Sequence, residues 1–239
     1  MVETLAPGSA KYQIMAHGAV ALGCVSNRPA SAEGPNVSGD KRARSYVVWQ
    51  GEIYNRDGLL VELGLSGAAP QELSDGEILL RLYQTHGLAC AEKINGSFAF
   101  ALYDNERQEV ILGRDRFGIE TLYYCDSPKA FIFGSKIASI LAYPGVSKAL
   151  NQNALRRYLV FGYNPGWDTF FRGVQKLRPA RLLVLRRDGV TEKKYWSLSF
   201  RQTQEKPVSE YCHDILDLTR DAIRLRLNDS ERFGIFLSG

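Results

Sequence analysis

Four short apolar segments within residues 97–135 constrain the fold more than any other feature of the sequence. They are rich in β-branched and aromatic residues and are separated by turn residues, as is typical of β-strands. The segments are SFAFALYD (97–104), EVILGRD (109–115), TLYYC (121–125) and AFIFGS (130–135). Because a parallel connection needs a crossover of a dozen or more residues, these short intervals predict antiparallel neighbours in a sheet.

The segments on either side of this run predict helices and further strands. In LSDGEILLRLYQTHG, Ser74 and Glu77 match the S-x-x-E capping box and Gly87 follows the last turn, so this segment predicts a helix. The other predictions are a strand at 46–54, helices at 56–64, 136–143 and 151–162, and a hairpin at 180–196 turned on Asp188-Gly189. Helices flanking an antiparallel sheet indicate the α+β class.

The composition changes after Trp196. Residues 197–208 are polar and predict a linker, whereas SEYCHDILDLTRDAIRLRL has apolar residues at helical spacing. The last seven residues, FGIFLSG, predict an apolar strand that runs into a turn. We therefore interpret the chain as a fragment with a domain at 1–196, a linker at 197–208 and the start of a second domain at 209–239.

The charge and the cysteines exclude several classes of function. The net charge is only +4 and the basic residues are dispersed, so no basic stripe indicates nucleic-acid binding. No apolar stretch reaches the ~20 residues of a membrane span, and the N-terminus lacks the pattern of a signal peptide. The cysteines are scattered without metal-ligand spacing, which predicts reduced thiols in a cytoplasmic protein and no metal site. They are Cys24, Cys90, Cys125 and Cys212.

Seven motifs together resemble the asparagine synthetases that hydrolyse glutamine, and the resemblance covers about residues 19–239. The motifs are QGEIYN, LSDGEILL, INGSFAFALYD, LGRDRFGIETLYY, FGSKIASIL, YLVFGYNPGWDTFFRGVQKL and IFLSG. The resemblance implies an N-terminal class II glutamine amidotransferase domain, an Ntn-hydrolase-like four-layer αββα sandwich with two stacked sheets. It also implies a following ATP-pyrophosphatase-type domain that uses ATP and Mg²⁺ in amino-acid biosynthesis. Leu237, Ser238 and Gly239 resemble the first half of its nucleotide loop, so this fragment alone is expected to bind neither cofactor.

The resemblance can be carried over to the glutamine site residue by residue. Releasing ammonia from a carboxamide needs a nucleophile and donors for the developing oxyanion. The family uses a Cys after the initiator Met, but Val2 stands at that position. Gln50 replaces the family's oxyanion Asn, whereas Gly51 and the two acids that hold the amino group of glutamine, Glu52 and Asp75, are retained. These four residues predict the remnant of a glutamine pocket without glutaminase activity.

Other positions also depart from the family pattern. The Arg expected after VALG is displaced, because Cys24-Val25-Ser26 occupy its region. Glu120-Thr121 replaces the usual Lys-Pro, and Lys136 stands where the family has Glu. Glu52 and Asp75 also have structural interpretations, since a strand-end Glu is often solvated and an Asp in the first turn complements the helix dipole.

Three functions are left open by the sequence. The first is an ATP-dependent amide-forming ligase whose N-terminal domain no longer hydrolyses glutamine, similar to β-lactam synthetases and lasso-peptide cyclases. The second is a working glutamine-hydrolysing asparagine synthetase with a misassigned N-terminus. The third is a non-catalytic domain that binds glutamine or a partner protein. The implied substrate of the full-length protein is a small molecule, glutamine or a carboxylate, and a homodimer is one possible assembly.

Overall fold

The computed structural model describes residues 11–26, 37–39, 44–65, 73–200, 205–227 and 234. The chain divides into two compact units, Met1–Ser197 and Leu198–Gly239. Val2 and the loop residues Leu237, Ser238 and Gly239 lie outside the described residues. The assignment of residues 209–239 to a synthetase domain therefore stays a prediction.

The first unit contains eleven described strands and five helices. The strands are β1 (Lys11–His17), β2 (Val20–Ser26), β3 (Val37–Gly39), β4 (Ser45–Ile53), β5 (Gly96–Asp104), β6 (Glu109–Arg114), β7 (Tyr123–Ser127), β8 (Ala130–Gly134), β9 (Val174–Lys176), β10 (Arg181–Arg186) and β11 (Gly189–Lys194). The helices are α1 (Arg56–Glu62), α2 (Asp75–His86), α3 (Cys90–Lys93), α4 (Ile137–Leu141) and α5 (Gln152–Phe161).

The strands form two antiparallel sheets and one separate hairpin. The larger sheet has the order β11-β10-β6-β5-β4-β3, the smaller one has the order β8-β7-β9, and β1 pairs with β2. The longest pairing runs between β4 and β5, from Ser45 opposite Asp104 to Ile53 opposite Gly96. The prediction of antiparallel strands is confirmed, but the prediction that successive strands are neighbours is wrong at one place. β6 and β7 lie in different sheets, because residues 115–122 carry the chain from one sheet to the other.

The two sheets are stacked, and each has helices on its outer face. Along β5, Phe98, Phe100 and Leu102 face one cluster, which includes the buried residues of α1, α2 and α3. Ala99, Ala101 and Tyr103 alternate with them and face a second cluster, shared with β2, β7 and β8. A third cluster joins the other face of the smaller sheet to α4. These three clusters separate four layers, so the predicted αββα sandwich is confirmed.

Capping residues set the boundaries of α2 and α5. Ser74 Oγ accepts the N–H of Glu77 at 3.3 Å, and the carboxylate of Glu77 accepts the N–H of Ser74 at 2.8 Å, which completes the predicted capping box of α2. Asn151 caps the start of α5, and Gly162 ends it with a φ of 74°. The predicted hairpin turn is also present, since Arg186 of β10 pairs with Gly189 of β11.

The second unit contains one described helix, α6 (Val208–Arg224), at the position that the periodicity predicts. No residue of α6 is buried, and Ile215 and Leu218 expose well over half of their surface. None of the helices within the described ranges is long and apolar enough to cross a membrane.

Candidate functional site

The candidate site lies at the end of β4, where Gln50, Gly51 and Glu52 pair with β5. Gly51 has a φ of 109°, a backbone conformation that residues other than glycine rarely adopt. A Cβ added at Gly51 would lie 2.0 Å from the carbonyl oxygen of Ser97. Only glycine therefore fits this corner, and the shape of its backbone is fixed independently of any ligand.

The side chain of Gln50 points to solvent and is bound by a carboxylate. Its amide nitrogen donates a hydrogen bond to Oε2 of Glu120, which comes from the segment between the two sheets. A neighbouring indole also contacts this strand end, because Nε1 of Trp49 donates to the carbonyl of Gly51 at 3.0 Å. Two positions that depart from the family pattern, Gln50 and Glu120, therefore contact each other directly.

The segment that carries Glu120 is held by the buried carboxylate of Asp115. Its Oδ1 accepts the backbone N–H groups of Phe117 and Ile119, both at 3.0 Å. Its Oδ2 accepts those of Glu120 at 3.0 Å and Phe98 at 3.4 Å. With four backbone donors, Asp115 fixes where the chain leaves the larger sheet, and so where Glu120 meets Gln50.

The guanidinium of Arg114 holds the same segment through backbone carbonyls. It donates to the carbonyls of Glu120 at 2.6 Å, Gly118 at 2.6 Å and Leu177 at 2.5 Å. Burial lowers the pKa of Arg114, and the charge of Asp115 acts against this shift. These contacts make Arg114 and Asp115 a structural corner of the fold.

Asp75 connects the start of α2 to the end of β4. Its Oδ2 accepts the N–H of Ile53 at 3.0 Å, and its Oδ1 accepts Nη1 of Arg56 at 2.6 Å. Burial raises the pKa of Asp75, although the hydrogen bonds from Ile53 and Arg56 lower it; the negative charge of Glu52 raises it further. The structure therefore brings Asp75 to the strand end that carries Gln50, Gly51 and Glu52.

The thiols of the described residues do not form a reactive cluster. Burial raises the pKa of Cys90 to about 12, so this thiol is protonated at neutral pH. Burial also raises the pKa of Cys125, while Cys24 is half-buried on β2 and Cys212 is exposed on α6. Within the described ranges, no group of His, Cys, Asp and Glu side chains could hold a metal ion.

Two stacked antiparallel sheets between helices, with a Gly-Glu corner at the end of a central strand, form the architecture that the sequence predicts for a class II glutamine amidotransferase domain. A family comparison agrees with this class: residues 8–196 match the family described as "Glutamine amidotransferase domain". The chain belongs to that family.

Curated relatives with similar sequence identity to this chain include both synthetases and amidases. Asparagine synthetase [glutamine-hydrolyzing] 3 of Bacillus subtilis is 30% identical over 196 residues, which is 81% of this chain and 31% of the relative. A putative asparagine synthetase [glutamine-hydrolyzing] 2 of Methanocaldococcus jannaschii is 29% identical over 220 residues, covering 86% and 42%. Amidase chyE of Penicillium rubens is 31% identical over 206 residues, covering 81% and 29%. The chain spans roughly a third of the length of these relatives.

A solved structure of glutamine phosphoribosylpyrophosphate amidotransferase from B. subtilis aligns with 74% of this chain and 35% of its own. The TM-score is 0.47 and the identity is 18%. This likeness is too low to add to the assignment.

Sequence reasoning named the residues of the strand end but missed two of their contacts, with Glu120 and with Arg56. Gln50, Gly51 and Glu52 follow one another on β4, and Asp75 bonds to the next residue, Ile53. The interaction of Asp75 with Arg56 was not predicted, because no spacing rule joins residues 19 positions apart on different helices. The roles of Glu52 and Asp75 in ligand binding stay predictions.

Proposed function

We propose that this chain supplies the amidotransferase-type domain of an asparagine-synthetase-like, ATP-dependent amide-forming ligase, and that this domain does not hydrolyse glutamine. The observation that carries the proposal is the contact between the amide of Gln50 and the carboxylate of Glu120. An oxyanion needs free donors that point at it, and here the donor at the strand end is already bound to an anion.

The charge of Glu120 opposes the reaction as well as occupying the donor. A carboxylate next to the strand end would repel the negative charge that develops on a carboxamide oxygen during attack. Loss of one oxyanion donor typically lowers the rate by ~10²–10³. Val2 follows Met1 in the sequence, and its side chain has no nucleophilic atom, so it could not attack a carboxamide.

The ligase part of the proposal rests on the relatives. Several of them are called asparagine synthetases, and the chain matches only about a third of their length. ATP and Mg²⁺ would be bound outside the first unit, Met1–Ser197. We assign Leu237, Ser238 and Gly239 of this chain to the nucleotide loop.

The test is ammonia release from millimolar glutamine by the purified chain, measured with a coupled dehydrogenase assay. We expect no release above buffer, and none from a Val2→Cys variant, because the oxyanion donor Gln50 would still be bound to Glu120. A catalytic rate in the unmodified chain that disappears after thiol alkylation would overturn the proposal. It would identify one of the four cysteines as a relocated nucleophile and favour the working-glutaminase alternative.

A further inference from the structure

The half-buried carboxylate of Asp75, which bonds to the end of β4, already binds the guanidinium of Arg56. The side chains of Arg56 and Asp75 are 26% and 20% exposed, and their nitrogen and oxygen atoms are 2.6 Å apart. A second guanidinium nitrogen of Arg56 donates to the carbonyl of Leu73, just before α2. Arg56 therefore joins the start of α1 to the start of α2 through two separate contacts.

The carboxylate of Asp75 is not needed to cap its own helix. The capping box of Ser74 and Glu77 already satisfies that end of α2. Asp75 points instead at the N–H of Ile53 and at Arg56, and the charge of Glu52 is close enough to disfavour its ionised form. Two neighbouring acids of this kind favour a positively charged partner.

We propose that Arg56 is a specificity-determining residue: its guanidinium occupies the position in which the ammonium group of an amino acid would contact Asp75. A glutamine bound at the strand end of Gln50, Gly51 and Glu52 would therefore gain no affinity from its α-amino group. This inference rests on the proposed function, because it takes the strand end to be the remnant of a glutamine pocket.

The competition between Arg56 and a ligand is unequal. Arg56 belongs to the same chain and is held beside Asp75 by the fold, so its effective concentration at Asp75 is far above the millimolar concentration of a free amino acid. The contact is a charge-assisted hydrogen bond, and the bond to Leu73 fixes the orientation of the guanidinium beforehand. An incoming ammonium group would have to displace both contacts.

Calorimetric titration with two ligands tests this inference. The ligands are L-glutamine and 4-carbamoylbutanoate, which has the same carboxamide and carboxylate but no amino group. We expect the wild-type chain not to favour glutamine, whereas Arg56→Met should bind glutamine at least about tenfold more tightly than the analogue, because a charged hydrogen bond to Asp75 becomes available. Arg56→Lys keeps a cation at this position and should resemble the wild type.

The control variant is Arg178→Met. Arg178 also forms an arginine–carboxylate pair, with Glu192, on an exposed surface of the larger sheet. Arg178→Met should leave the affinities for both ligands unchanged. A gain in affinity for glutamine in Arg56→Met alone would therefore exclude a general effect of removing one positive charge.

Two results would overturn the inference. One is a wild-type chain that already prefers glutamine by about tenfold, and the other is a folded Arg56→Met variant that binds glutamine no better than the analogue. If circular dichroism shows that Arg56→Met is unfolded, the titrations of Arg56→Gln and of the wild-type chain test the inference in its place. Ammonia is measured in the same samples: its release would contradict the proposed function, whereas the ratio of the two affinities bears only on Arg56.

Discussion

Two polar regions meet at the end of β4, and they are built in opposite ways. In the more exposed region, polar and charged side chains bind one another: Gln50 contacts Glu120, and the half-buried Asp75 contacts Arg56. Asp75 and Arg56 also bind one backbone group each. In the buried region, side chains bind the backbone: Asp115 accepts four N–H groups, and the guanidinium of the neighbouring Arg114 donates to three carbonyls. The buried region fixes the path of the chain, and the more exposed region determines which charged groups lie at the end of β4. Substitutions in the more exposed region can change the charges at the strand end without changing the path of the chain.

Glu120 belongs to both regions. Its N–H and its carbonyl are held by the buried corner, and its carboxylate binds Gln50 in the exposed pair. The comparison therefore predicts that mutations of the buried corner reduce stability strongly, whereas mutations of the exposed pairs change binding more than stability.

The largest effect is expected from Asp115→Ala. Asp115 is 1% exposed, and its removal leaves four backbone N–H groups without their acceptor. We expect the free energy of unfolding to fall by about 3–5 kcal/mol in urea titrations, with a smaller loss for Asp115→Asn, which retains one oxygen acceptor. The control is Asp126→Ala on β7, an exposed position that should change stability by no more than about 0.5 kcal/mol. A loss below about 1 kcal/mol at Asp115 would contradict the distinction between the two regions.

The next effect is expected from Gly51→Ala. The added Cβ would approach the carbonyl of Ser97 to 2.0 Å on a residue whose φ is 109°, so β4 and β5 would have to separate. We expect a loss of about 3 kcal/mol in thermal or urea unfolding. Gly58→Ala is the matched control: Gly58 lies within α1 with no atom within 4 Å of an added Cβ. There the same change should stabilise the domain by about 0.5–1 kcal/mol.

Asp168 should show an intermediate effect that depends on pH. Burial raises the pKa of Asp168, but the hydrogen bonds from Arg157 and Asn151 outweigh it and lower the pKa below its ordinary value. The stability from this carboxylate is therefore complete above the unfolded pKa of about 3.9 and is lost as the pH falls through the folded pKa. Asp168→Asn should lower the free energy of unfolding by up to about 1 kcal/mol at pH 7, since the side chain of Asp168 is 37% exposed. The difference in this free energy between the wild type and the variant should become smaller below about pH 4. A difference that stays constant with pH would show that the charge of Asp168 is not involved.

The smallest change in stability is expected from Glu120→Ala. The pair with Gln50 is exposed, so its loss should change the free energy of unfolding by no more than about 0.5 kcal/mol. Gln50→Ala should have the same small effect, because it removes the other half of the same contact. If either variant lost more than about 2 kcal/mol in urea titrations, the exposed pair would have to be counted with the structural corner.

The sequence predicts local features better than contacts between distant segments. The capping box of Ser74 and Glu77 and the hairpin turn at Gly189 follow from short-range rules, and the structure confirms both. The change of sheet between β6 and β7 was missed, because strands such as β5 are buried on both faces and their pattern does not say which sheet they join. The hairpin of β1 and β2 was also missed, since Tyr12 and Ile14 are exposed and its apolar pattern does not follow burial.

The contacts of the candidate site illustrate the same limit. Gln50 and Glu120 are 70 positions apart, so no local pattern joins them. Each was noted as a departure from the family pattern, but their contact follows only from the folded chain. Arg56 gave no signal at all, because an Arg in the first turn of a surface helix is ordinary in composition.

The position of Tyr195 has a consequence for how this protein is made. Its hydroxyl donates to the carbonyl of Arg114 at 2.8 Å, its N–H donates to Ala180, and its ring is 92% buried in the cluster beneath α1 and α2. A ribosome delivers residues in chain order, so the corner at Arg114 emerges some eighty residues before the hydroxyl that completes it. Until then β6 also lacks its partner β10, and its open edge and the apolar surface beside it remain accessible to chaperones or to other nascent chains.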